Sequence, residues 1–235
     1  MRILSELQTR KIGLFELIRM SFKLYFEYFG IFFSFFCVTL LPFLIIFQFF
    51  SFDSNPILGI LFIIFYVIIV FPVYVNGLTI LTEGYVLGEN PQIDVAIKRI
   101  LSRIIPLTGL SIRFGIICFL LSLLLIIPGI IYAVNNSYYG QAFILRGQTG
   151  KAAFEYSRSL VKGNWWKVFL LSIISSIIIS QYEKWIAKIL NRVLIDFPAL
   201  VAIIGDIISI NLVAAVTIIS GVLLFLNLEF QKQLR

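Results

Sequence analysis

The sequence predicts an all-α integral membrane protein with six transmembrane helices and shorter amphipathic helices lying at the membrane interface. Three observations carry that prediction. The 235 residues are 60% hydrophobic and 13% charged, with a mean hydropathy of +1.01, whereas an ordinary soluble domain carries about 25% charged residues. Apolar runs recur that approach or reach the roughly 20 residues needed to cross a bilayer core. Between these runs the charged residues fall into stripes at helical spacing, the mark of a helix with one wet face. The whole chain, 1–235, reads as a single membrane domain.

Composition also excludes whole classes of function. The formal net charge is +7, but the cations flank apolar runs and form no compact basic domain with interleaved aromatics, so the expected partner is anionic phospholipid and not nucleic acid. Histidine is absent, which removes the commonest general base and metal ligand. Cys37 and Cys118 both fall inside predicted spans, so neither a disulfide nor a metal site is expected. No phosphate-cradling glycine loop, nucleophile elbow or paired-carboxylate motif is legible, so no catalytic activity and no cofactor are expected. The charged opening residues lack an early apolar core before a small-residue site, and no cleaved signal peptide is expected.

Residues 12–28 form the first interfacial helix in this scheme, because Glu16, Arg19, Lys23 and Glu27 share one stripe at i, i+3, i+7 and i+11. Leu14, Leu17, Ile18, Ser21, Leu24 and Tyr25 fill much of the remainder. Span one is 29–50, kinked at Pro42, and span two is 57–82, kinked near Pro72, with Asn76, Thr79 and Thr82 in its last turns. Glu83 then falls at the interface. A second amphipathic helix sets Ile93, Ile97, Ile100 and Ile104 opposite Asp94, Lys98 and Ser102, and Pro106 ends it. Span three is 107–127, with Arg113 close enough to its start to snorkel. Pro128-Gly129 makes the reversal into span four, 129–145, which is short and carries Asn135, Asn136, Ser137 and Gln141. Such a segment is expected to be buried among other helices or partly re-entrant.

Residues 151–162 repeat the amphipathic theme, with Lys151, Glu155, Arg158 and Lys162 opposite Ala153, Tyr156 and Leu160, and Gly163-Asn164 as the stop. Trp165 and Trp166 open span five, 165–180, where an aromatic belt places them, and Ser172, Ser176 and Ser180 give it a small-residue face. Residues 181–196 are again amphipathic, Pro198 punctuates, and span six is 207–226, followed by a short tail. With this assignment every Lys and Arg except Lys184, Lys188 and Arg192 lies on one side, so the positive-inside rule places both termini in the cytoplasm. An amphipathic helix, a span, a short outer connection and a second span recur three times, in units 12–82, 91–146 and 150–229. Either these are repeats that build a quasi-symmetric bundle, or any amphipathic helix entering a membrane shows the same pattern.

One segment carries a family likeness. Pro128, Gly129, Tyr132, Ala153, Ser157, Leu160, Lys162 and Trp165 with Trp166 stand in an order that resembles the bacterial membrane-domain family named after the membrane part of some glycerophosphodiester phosphodiesterases and its stand-alone relatives. The opening RMSFKLYFEYFGIFF is similar to that family's first helix. The resemblance implies a six-span helical fold in a bacterial membrane and very little chemistry, since the soluble phosphodiesterase barrel has no counterpart here. The chain departs from the family where an acidic residue commonly follows the fourth span and this sequence has Arg146-Gly147.

Candidate functional residues follow from cost. Asn76, Asn135, Asn136 and Gln141 form a candidate intramembrane polar site, because an unpaired amide in hydrocarbon finds either a partner or a cavity; interhelical hydrogen bonding is the competing role. Lys151, Arg158, Lys162, Trp165 and Trp166 are the candidate contacts to lipid headgroups. Asp206 and Asn211 stand either at the headgroup boundary or against an aqueous pocket. Glu83, Asp206 and Glu229 are expected near different surfaces, which argues against an intramembrane enzyme. The favoured function is a non-enzymatic polytopic inner-membrane protein acting through lipid or membrane-protein contacts, with a membrane-protein partner or a second copy as candidates. The alternative is a transporter or permease component for an amphiphilic small molecule.

Overall fold

A computed structural model of the chain describes residues 2–49, 55–193, 201, 204–205 and 207–234. Every regular element among them is helical: α1 (Arg2–Thr9), α2 (Leu14–Glu27), α3 (Phe29–Thr39), α4 (Leu41–Phe49), α5 (Pro56–Phe65), α6 (Phe71–Leu87), α7 (Ile93–Leu101), α8 (Ile104–Leu124), α9 (Ile126–Asn135), α10 (Tyr139–Arg146), α11 (Lys151–Val161), α12 (Trp165–Val193) and α13 (Ala215–Gln233), with π-helical turns at Tyr66–Val70 and Ser209–Ala214. Four helices among the described residues are long and apolar enough to cross a membrane, namely Pro56–Leu87, Ile104–Leu124, Trp165–Leu190 and Asn211–Gln233. A fifth is present if α2 and α3, bent by 81° at Tyr28, count as one crossing.

Proline explains most of the differences from expectation. Pro42, Pro106 and Pro128 all lie in the first turns of helices, α4, α8 and α9, where a missing N–H removes no hydrogen bond. They therefore open helices. The residues 29–49 divide at Leu40, α7 stops at Leu101 well before Pro106, and the reversal between α8 and α9 is the single extended residue Leu125, with φ −157° and ψ 133°, and not Pro128-Gly129. Gly129 instead permits close packing, since a Cβ there would sit 2.1 Å from Ser122 Oγ and 3.1 Å from its Cα. Pro72 follows the first π turn, and Thr108 Oγ1 lies 3.4 Å from the carbonyl of Ile68, four residues before Pro72, which an α-helix would have paired with the missing N–H.

The expected fourth span is interrupted at 136–138, with Asn136 buried at the break between α9 and α10. The expected fifth span does not end near Ser180, because α12 continues to Val193 and absorbs the outer amphipathic stretch. Its serine face also turns outward: Ser172 and Ser176 are exposed and donate to carbonyls one turn back, while Ser175 is the buried one. Asp206 and Pro198 lie outside the described residues.

Asn211–Gln233 is the axis of the bundle, with 72% of its apolar window buried against 11–22% for the other three long helices. The amphipathic helices α2, α7 and α11 form as their stripes predict, but their apolar faces are filled by protein. Leu17, Met20, Ser21, Leu24 and Tyr25 of α2 pack on α13, Ala96 and Ile100 of α7 on α6, and Ala153, Phe154, Ser157 and Leu160 of α11 on α10 and α13. The outward apolar surface lies chiefly on α5, α8, the start of α9 and α12, where Ile57, Phe119, Leu123, Ile126 and Ile177 are exposed.

Aromatic side chains seat α3 along α6. Tyr28 stacks on Tyr85 with ring centroids 4.0 Å apart, and Phe35 and Phe36 both meet Tyr74. Gly77 makes room for this seam, since its Cβ would fall 2.0 Å from Phe35 Cζ. Gly77→Ala should therefore destabilise the detergent-solubilised protein by about 1–3 kcal/mol through overpacking. Gly109→Ala on α8, where nothing lies within 4 Å, should leave the thermal unfolding midpoint unchanged or higher. Equal midpoints for the two variants would show that the seam tolerates extra volume.

Candidate functional site

Three helices bring a charged side chain inward near their C-terminal ends: Glu83 one turn from the end of α6, Arg146 at the last position of α10, and Glu229 one turn from the end of α13. Gly147, with φ 66°, turns the chain sharply after Arg146, and its N–H bonds the Phe143 carbonyl. The ends converge on the guanidinium. Arg146 Nε is 2.7 Å from Glu229 Oε1, Nη2 is 2.5 Å from Glu229 Oε2, and Nη1 is 2.6 Å from Glu83 Oε1. Tyr156 of α11 donates its hydroxyl hydrogen to Glu229 Oε1, and the Phe225 ring lies 5.6 Å from the guanidinium carbon.

The side chains are 29% exposed for Arg146, 12% for Glu83 and 6% for Glu229. A carboxylate withdrawn from water to that degree is costly unless a charged donor replaces the lost hydration. The two-pronged contact to Glu229 is the charge-assisted geometry in which arginine is strongest. The Tyr156 hydroxyl is pushed up to about 12, first by burial and then by its bond to the Glu229 carboxylate, so it remains a donor. One guanidinium facing two carboxylates is a tie between helix ends. Among the described residues no group of three His, Cys, Asp or Glu side chains could hold a metal ion.

A second polar hub lies nearby. Asn227 is fully buried and its Nδ2 donates to the carbonyls of Leu7 and Arg10, each at 2.8 Å, while its Oδ1 accepts from the Ile12 N–H at 3.3 Å and faces Lys167 Nζ at 3.5 Å. One amide thus closes the free backbone groups of the segment between α1 and α2. Arg99 of α7 reaches the Ile144 carbonyl at 2.8 Å and braces the end of α10. These contacts and the arginine tie share one region of the molecule, because Asn227 and Glu229 are two residues apart on α13.

No protein-family model, curated protein or solved structure matches the chain.

The candidate polar residues are distributed between two places. Asn136 is buried, its Nδ2 bonds the Tyr132 carbonyl at 2.8 Å, and its Oδ1 accepts from Arg158 Nε at 3.0 Å. The Asn135 carbonyl accepts from Ser157 Oγ at 3.0 Å, so Asn135 and Asn136 join α9 to α11. Asn76 is buried on α6 and bonds the Pro72 carbonyl at 2.8 Å, near Gly140 of α10. Gln141 is half-buried on α10. Of the candidate headgroup contacts, Lys151, Arg158, Lys162 and Trp166 are exposed and Trp165 is half-buried, stacked on Phe169. Asn211 is buried and accepts a hydrogen bond from Tyr25.

Two expectations need correction. Glu83 is not at an open interface, and Glu83 and Glu229 do not lie near different surfaces; Arg146 holds both. No local spacing announces this, since Arg146 is 63 residues from Glu83 and 83 from Glu229. An arginine closing an otherwise uncharged helix, just before Gly147, was the signal that the sequence itself offered. Arg146→Met should cost about 3–5 kcal/mol by leaving two buried carboxylates unpaired. Adding Glu83→Gln and Glu229→Gln to that variant should recover much of the loss, as read from unfolding in detergent. No recovery in the triple variant would mean that Arg146 acts by packing alone.

Proposed function

We propose that this chain is a non-enzymatic, multi-pass protein of a bacterial cytoplasmic membrane, with both termini cytoplasmic, that works through contacts with lipids or another membrane protein. It crosses the bilayer six times, through 29–49, Pro56–Leu87, Ile104–Leu124, the broken pair 126–146, α12 and Asn211–Gln233, arranged as three units at 12–82, 91–146 and 150–229. The observation that carries this reading is the division of the surface. Exposed apolar side chains gather on α5, α8, α9 and α12, whereas the long-range polar ties of Arg146 and Asn227 involve α1, α6, α10, α11 and α13 and reach α12 at its first turn, through Lys167. The resemblance to the bacterial membrane-domain family supports the same reading and brings no enzyme activity with it.

The exposed cations Lys151, Arg158 and Lys162 on and just after α11, with Trp165 and Trp166 beyond them, are suited to an anionic headgroup layer. Replacing Lys151, Arg158 and Lys162 by Gln should weaken association of the purified protein with phosphatidylglycerol vesicles by roughly tenfold, at about 1 kcal/mol or less per cation. Unchanged association would remove lipid contact from the proposal and leave a protein partner.

A transporter or permease component for an amphiphile is a second reading, favoured by a groove of about 340 Å³ between α9 and α12 that is apolar except for Ser137, Ser172 and Ser176. If it carries an amphiphile, Ser172→Leu with Ser176→Leu should block movement of a fluorescent phospholipid across proteoliposomes that the unaltered chain supports. No movement with the unaltered chain would set this reading aside.

A further inference from the structure

A cavity of about 370 Å³ opens where the segment after α1, the end of α11, the start of α12 and the end of α13 meet. Its volume falls within the range of small-ligand sites. Lys11, Lys162 and Lys232 line it together with Ser159, Asn164 and Gln231, and no lining side chain among the described residues is acidic. None of the three lysines forms an ion pair among the described residues, whereas Lys98 and Lys151, out on their helix surfaces, pair with Asp94 and Glu155. Lys232 Nζ reaches Ser159 Oγ at 2.8 Å, which fixes that hydroxyl at the rim.

The cavity is held in place from behind. Asn227 fixes the backbone on both sides of Lys11 through the Arg10 carbonyl and the Ile12 N–H. Gly163, with φ 82°, makes the sharp turn after α11 that brings Lys162 and Asn164 to the same opening. Asn164 immediately precedes α12, a helix of 29 residues whose first backbone N–H groups have no partner within the helix and carry a partial positive charge. Three ammonium groups with no acidic partner among the described residues line one concavity beside that helix start and make a site for a multiply charged oxyanion.

The surroundings select the form of that anion. Trp166, Leu170, Ile173 and Ile177 recur at i, i+4, i+7 and i+11 along α12, all of them exposed, and the stripe begins two residues from Asn164. From the lysine cavity and the apolar stripe that leads away from it, we infer that this is a specific site for an anionic phospholipid, with the phosphate among Lys11, Lys162 and Lys232 and the acyl chains along α12. The inference rests on the lipid-contact reading above and narrows it from a charged surface to one built pocket. Lys11 and Lys232 were not among the headgroup contacts expected from sequence, because they lie far from the α11 stripe along the chain.

The test is a titration of the full chain in detergent micelles with phosphatidylglycerol, followed by native mass spectrometry, with phosphatidylcholine as the neutral arm and inorganic phosphate as competitor. Lys11→Gln/Lys162→Gln/Lys232→Gln should lower phosphatidylglycerol binding by about tenfold or more. Lys23→Gln/Lys98→Gln/Arg103→Gln, which removes the same charge elsewhere, should change it by less than about twofold. The same three pocket positions changed to Arg should retain binding. Equal losses in the two Gln variants would overturn the pocket while leaving general lipid contact intact. Absence of any preference for phosphatidylglycerol over phosphatidylcholine in the unaltered chain would overturn both. Displacement of the lipid by millimolar inorganic phosphate would overturn the lipid assignment and make the site one for free phosphate.

Discussion

Everything at one end of this bundle depends on how Arg146 is neutralised. Its guanidinium bridges two carboxylates that burial has separated from water, and each carboxylate belongs to a different helix. A buried ion network of this kind contributes little net stability compared with apolar packing of the same volume, but it is intolerant of rearrangement. It therefore fixes relative placement. The ends of α6, α10 and α13 cannot slide against one another without exposing a charge to an apolar neighbour, and the hydroxyl of Tyr156 ties α11 to the same point.

Around that point the molecule is built differently on its two sides. Toward the arginine, helix faces that look amphipathic in isolation are closed by other helices, and buried amides bond carbonyls at loops and helix ends. Away from it, α5, α8 and α12 offer leucine, isoleucine and phenylalanine outward, with none of the described residues covering them. Such a surface is unfavourable in water, where large contiguous apolar patches are rare. It is favourable in hydrocarbon, and the long apolar helices are of the length that hydrocarbon requires.

The stripes on α2, α7 and α11 were legible because charge periodicity is local: Glu16, Arg19, Lys23 and Glu27 define a face whether lipid or protein covers the other side. What covers it was not legible, and the inward sides of all three helices meet protein. Proline misled for a definite reason. Pro106 and Pro128 look like terminators when the chain is read forward, yet the first turn of a helix is the one place where the lost N–H is not missed. Asn227 and Glu229 stood in what looked like a polar tail, and only their partners, Leu7, Arg10 and Arg146, far away along the chain, make them interior residues. Asn135 and Asn136 stand out in sequence as polar groups in an apolar stretch, but a helix-to-helix bond and a ligand contact leave the same trace there.

The amide of Asn227 also sets a schedule. Residues 7–12 are made long before residue 227 exists, so until then the carbonyls of Leu7 and Arg10 and the Ile12 N–H must be served by water. Loops that close over such separations form late. Docking of α13 is thus the act that completes the segment joining α1 to α2, and until it occurs those three backbone groups stay with water.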